Sequence, residues 1–145
     1  MAEVTVPVDA KALAYLVLSD WFPNANVSGL FPGDDDRSMK LPHIGFEIAG
    51  GSRLNRITDS AHITIRVWDE YEEDASLLCR RAYAVLMAAP ETPEYADTVR
   101  KSESVGGPVP YPDPNARVPR YQATVEWQLR PTIEVSDDEN PAPAD

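Results

Sequence analysis

Few side chains in this sequence are both reactive in type and spaced for chemistry. His43 and His62, with Asp59 or Glu47, supply metal-ligand types. They lack the H-E-x-x-H or Cys/His spacing that brings such groups onto one face of an element. Asp34, Asp35 and Asp36 are consecutive, whereas a calcium loop places its oxygens at alternate positions and closes with a Glu. A solvated acidic loop is therefore the expectation. Gly50-Gly51 and Gly106-Gly107 are isolated pairs outside any phosphate-cradling frame, so they read as turns. Ser19, Ser28, Ser52 and Ser60 have no nucleophile-elbow context. Cys79, the only cysteine, excludes an intrachain disulfide and sits beside an apolar helical stripe, where an inert buried thiol is expected. Neither a cofactor nor a metal is implied, and the chain is expected not to be an enzyme.

The elements that would position these groups follow from periodicity. A chain of 145 residues is long enough for one core. Asp9 is placed to cap a helix whose stripe is Ala10, Leu13, Ala14, Val17, Leu18 and Trp21, ending near Phe22-Pro23. A short strand is expected around 27–31. "HIGFEIAGG" alternates Ile44, Phe46 and Ile48 with polar neighbours, and "HITIRVW" does the same with Ile63, Ile65 and Val67. Their link is too short for a crossover helix, so the two strands should pair antiparallel. Asp69 and Glu72 have the spacing of a capping box for a second helix, with Tyr71, Ala75, Leu78, Ala82, Val85, Leu86 and Ala89 inward and Pro90 as its stop. "TVRKSESVGG" reads as a third strand and "PRYQATVEWQLRP" as the clearest one. Between them, "GGPVPYPDPNARVP" carries five prolines in a long loop.

The fold expected is α+β: an antiparallel sheet of about four strands with two helices packed against it, both on one face, and a long Pro-rich loop before the last strand. Residues 1–131 form the domain. Residues 132–145, acidic and proline-containing, are expected to be a disordered tail. The net charge is −11, from 24 acids and 13 bases, which opposes a nonspecific grip on phosphate, and no basic patch stands out in the sequence. The longest apolar run, "ALAYLVL", is too short to span a bilayer and lacks the basic flank of a signal peptide. A soluble chain made in the cytoplasm is expected.

What remains is surface suited to contact. Trp21 belongs to the stripe of the first helix and is expected to pack inward, yet Trp21, Phe22, Leu30 and Phe31 together exceed what a turn region needs. Trp68 breaks the alternation of its strand by falling on the face of His62, Thr64 and Arg66. Aromatic and Arg residues anchor protein interfaces. These five, with Arg53, Arg56, Tyr111, Arg117 and Arg120, are the candidate assembly residues.

Taken in order, "LPHIGFEIAGG", "TDSAHITIRVWDEYEEDASLLCRRAYAVL" and "GGPVPYPDPNARVPRYQATVEWQLRP" resemble the tail terminator (tail-completion) proteins of long-tailed bacteriophages. The likeness covers roughly residues 9–131 and rests on Gly50, Gly51, Asp59, Ala61, Trp68, Asp69, Gly106, Gly107, Pro108, Asp113, Pro114, Pro119, Arg120 and Tyr121. Residues 24–40 depart from the pattern. The resemblance implies a virion structural protein that forms a homo-hexameric ring on the head-proximal end of the tail tube. There it ends polymerisation and offers the head-joining surface. Its implied partners are further copies of itself, the tail tube protein and the head-tail connector protein, and no membrane. DNA would pass through the ring without specific binding, since six acidic copies repel phosphate, and Asp34, Asp35 and Asp36 are placed at the channel or rim. The alternatives are another head-tail joining protein or a small metal-binding or hydrolase domain.

Overall fold

Alternating side chains over residues 58–68 and 120–129 give two long strands, and the rest of the molecule is arranged around that pair. The computed structural model describes residues 2–32, 39–112, 114 and 117–135. In chain order the elements are β1 (Glu3–Val6), α1 (Ala10–Trp21), β2 (Asn26–Ser28), β3 (His43–Ala49), β4 (Arg53–Asn55), β5 (Thr58–Trp68), α2 (Glu72–Ala88), β6 (Val99–Pro110), β7 (Arg120–Leu129) and β8 (Thr132–Val135). The main sheet runs β2-β3-β5-β7-β6, with β4 pairing the start of β5. Every pairing in it is antiparallel except β2 with β3. The architecture is thus α+β with two helices, as expected, but the sheet has more than four strands.

β3 and β5 pair antiparallel from His43↔Trp68 to Ala49↔His62. The chain then kinks at Gly50-Gly51 and resumes as β4 along the same neighbour. Gly51 is obligatory there: a Cβ would lie 1.6 Å from the Ser60 carbonyl oxygen. Both helices cover one face of the sheet. Val17 and Leu18 from α1, with Cys79, Ala82 and Leu86 from α2, join Ile44, Phe46, Ile63, Ile65, Val67, Val125 and Trp127 in a single core. Trp127 spans the layers, its indole N–H donating to the Leu86 carbonyl at 2.9 Å. Burying each such large side chain stabilises the fold by about 1.5–3 kcal/mol.

Four expectations are corrected. Asp69 does not cap α2. The N-cap is Tyr71, which makes no side-chain cap bond, and the Asp69 carboxylate instead accepts from the Glu70 N–H at 2.7 Å. Acids in the first turn still favour the helix through its dipole. The α2 stripe holds at Ala75, Ala82, Leu86 and Ala89, with Leu78 and Val85 half-buried against the core and Cys79 buried beside them, but it fails at Tyr71, which is exposed. The late Pro-rich loop is shorter than the prolines suggest, because β6 continues through Gly106, Gly107 and Pro108 to Pro110; an edge strand tolerates missing N–H donors. Finally, a tail disordered from residue 132 is not what is found at 132–135. β8 pairs with β1 in a separate two-stranded ribbon, Glu3↔Val135 to Val6↔Thr132. Asp9 does cap α1, accepting from the Ala12 N–H at 3.0 Å. Among the described residues no helix is long and apolar enough to cross a membrane.

Candidate functional site

The helix-free face of the sheet is polar and partly open. Alternation along β5 and β7 puts His62, Thr64 and Arg66 opposite Glu126, Thr124 and Gln122. Each pair bonds across the strands: His62 Nε2 to Glu126 Oε2 at 2.8 Å, Thr64 to Thr124 at 3.0 Å, and Arg66 Nε donating to Gln122 Oε1 at 2.8 Å. Within these ladders His62, Glu126 and Arg66 each have a cross-strand partner. Among the described residues no group of three His, Cys, Asp or Glu is placed to hold a metal.

At the Trp68 end of this face two loops fold back over the sheet. Phe31 meets Trp68 edge-on with centroids 6.2 Å apart, and His43 does so from β3 at 5.6 Å. Gly45 makes room, since a Cβ there would lie 2.9 Å from the Leu30 carbonyl and 3.1 Å from both the Phe31 and Trp68 rings. From the other loop Tyr111 inserts between two guanidinium groups, Arg66 at 4.5 Å and Arg120 at 4.4 Å from its ring centre. Arg66 in turn lies 4.2 Å over Phe31. Such stacked cations contribute roughly 0.5–2 kcal/mol each. The Tyr111 N–H donates to the Arg120 carbonyl, and Arg120 Nε donates to the Tyr111 carbonyl at 2.6 Å, so the loop is tied at its neck.

This geometry redistributes the candidate residues. Trp68 is 0% exposed and offers no surface for a partner; its position on the polar face reflects a lid of loop aromatics rather than a waiting contact. Its indole N–H is buried with no acceptor among the described residues. Arg120, 7% exposed, is a loop anchor. Arg53 is spent within the chain, with Nε on Asp59 at 2.7 Å and Nη2 reaching the Thr5 carbonyl; the Asp59 hydrogen bond raises its pKa further above the ordinary value. Arg56 and Arg117 are exposed. Asp34, Asp35 and Asp36 lie outside the described residues.

Trp21 behaves in the opposite way to expectation. It is 57% exposed at the end of α1, because the core-facing stripe there is completed by Ala14, Val17 and Leu18. With Phe22 and Pro42 on one side and Leu78, Arg81 and Val85 of α2 on the other, it lines a groove of about 700 Å³. Leu30, 61% exposed, adds a separate apolar point at the loop over Gly45. The α2 groove residues carry no separate signal in the sequence, because Leu78 and Val85 belong to the apolar stripe and pack against the core with one side while lining the groove with the other.

Two titrating groups are strongly shifted, both toward neutrality. Burial pushes the Cys79 thiol from 9.0 to about 12, which makes it unreactive at neutral pH. Tyr95 is also raised to about 12, first by burial and then by its hydrogen bond to the Asp20 carboxylate at 2.7 Å. Cys79 is enclosed in the core, and Tyr95 ties the segment after α2 to the end of α1 through Asp20. No protein-family model matches this sequence, and no curated protein matches it.

Proposed function

We propose that this chain is a structural assembly protein that caps the head-proximal end of a phage tail tube as a homo-hexameric ring. It ends tube polymerisation and presents the surface to which the head joins. The tail-tube part of this reading rests on the resemblance carried by the Gly50-Gly51, Asp59 and 106–121 motifs. The assembly part is supported by one observation above all: the groove lined by exposed Trp21 and the tip carrying Leu30 are two unlike contact surfaces on one small domain. Rings need such unlike surfaces, because a heterologous contact joins different patches of neighbouring copies and closes by rotation.

In this reading the protein acts by association, without turnover. The groove and loops supply contact area to a neighbouring copy, to the last ring of tail tube protein and to the head-tail connector protein. A stable contact buries on the order of 1,200 Å² in total. The acidic charge keeps DNA from adhering as it passes. The mature location is the head-proximal end of the virion tail.

The test is electron microscopy of particles assembled with and without the chain. Overlong tubes or headless tails are expected in its absence. Tails of normal length joined to heads would contradict the reading, and co-purification with heads alone would make it a head-side joining protein.

A further inference from the structure

The described structure contains a basic site that the sequence does not show. The β4–β5 turn, the start of β6 and the segment after β7 bring Arg56, Arg100 and Arg130 around one pocket of about 290 Å³, with Ile57 and Ile133 on its wall. All three arginines are exposed, and none makes an ion pair among the described residues. No Asp or Glu is among the described residues lining the pocket, and Asp59, which follows Thr58 on β5, is paired with Arg53. In a chain of net charge −11, three unopposed guanidinium groups at one point form the conspicuous positive site.

Its complement lies at the other end of the same strand. β5 begins beside the arginine pocket at Thr58 and ends at Trp68. Immediately beyond are Glu70, Glu72, Glu73 and Asp74, all exposed around the start of α2, with Tyr71 standing out among them. Eleven residues of strand separate the two sites by about 35 Å. The cations native to this acidic end, Arg66 and Arg120, are occupied by Phe31 and Tyr111. The two sites also match in their apolar parts: Ile57 and Ile133 among the arginines, Tyr71 among the acids.

We infer that copies of this chain associate head to tail, the Arg56/Arg100/Arg130 pocket of one receiving the Glu70–Asp74 acids and Tyr71 of the next. The inference rests on the ring-forming reading and specifies its charged contact. Such a contact is heterologous, and its polarity fixes which end of each copy faces its neighbour. Opposed potentials raise the rate of correct encounter and penalise head-to-head pairing, where three arginines would meet three arginines. The contact weakens with salt, as exposed charge pairs do.

The experiment combines charge reversal with cross-linking. Arg100→Glu/Arg130→Glu and Glu70→Arg/Glu73→Arg each change only exposed side chains, so circular dichroism should report an unchanged fold. Each variant alone should lose self-association by about tenfold or more in sedimentation, and an equimolar mixture of the two should regain it. Separately, Ile57→Cys and Glu73→Cys proteins, mixed under mild oxidant, should form a mixed disulfide dimer that neither forms alone, both free and on assembled tails. Failure of the mixture to recover, or absence of the mixed disulfide in both settings, overturns the contact. Loss of binding to a labelled DNA duplex in the arginine variant, with self-association intact, also overturns it and assigns the pocket to phosphate. Overlong tubes in the absence of the chain would still stand in either case, so the contact and the capping role fail separately.

Discussion

Trp68 and Trp21 show how differently two tryptophans of similar promise can be used. Trp68 lies on a polar sheet face and is fully buried; Trp21 lies on an apolar helix stripe and is more than half exposed. The difference is made by loops. Phe31 and Tyr111 fold over the Trp68 end of the sheet, clamped by Arg66 and Arg120, whereas nothing described folds over the end of α1. One region has turned its aromatics and cations inward to hold two loops. The other leaves Trp21 exposed on the rim of a groove.

Substitutions should separate the two regions most clearly at these tryptophans. Trp68→Ala removes a fully buried ring and its contacts with Phe31 and His43, and should cost about 3–5 kcal/mol in chemical denaturation. Trp21→Ala should change stability by no more than about 0.5 kcal/mol while impairing assembly. Equal destabilisation by both would erase the contrast. The cations should divide in the same way. Arg120→Glu loses the bond to the Tyr111 carbonyl and the stacked ring and leaves a carboxylate in a mostly buried site, for about 2–3 kcal/mol. Arg117→Glu, exposed in the same loop, should be nearly neutral in the same melt.

A smaller effect comes from the shifted acids of the core. Cys79 and Tyr95 have folded-state pKa values raised to about 12 from 9.0 and 10.0. Above pH 9 the unfolded chain releases these protons while the folded one keeps them, so their contribution is intact below pH 9 and falls as pH approaches 12. Stability should decline by about 1–2 kcal/mol by pH 10, and Cys79 should resist thiol reagents until the protein unfolds. The smallest contrast is between two acids near helix starts. Asp9→Ala should cost about 1 kcal/mol because it removes a real cap, whereas Asp69→Ala should cost less, since Asp69 caps nothing in α2.

Local signals were readable from sequence and nonlocal ones were not. The alternation of β3, β5 and β7, the Asp9 cap and the antiparallel β3–β5 pair are all set within a few residues of chain, and they appear where the pattern put them. Asp69 had the right spacing for a capping box, but its backbone N–H is held by the Pro119 carbonyl, a contact 50 residues away that fixes the turn before α2. β1 (EVTV) and β8 (TIEV) alternate over only four residues each, too few to stand out alone, and their pairing joins segments about 130 residues apart. The same holds for the candidate surfaces. Arg56, Arg100 and Arg130 are scattered in sequence and meet only through strand register, and Trp68 is buried only once two loops have closed.

The most direct test of action by association is a titration of the purified chain into polymerising tail tube protein, followed by electron microscopy of tube length. Growth should stop once about six chains are present per tube end, with the chain retained there as a ring. Arrest at far lower ratios, with no chain left on the tube, would mean that it acts by turnover and would contradict the account.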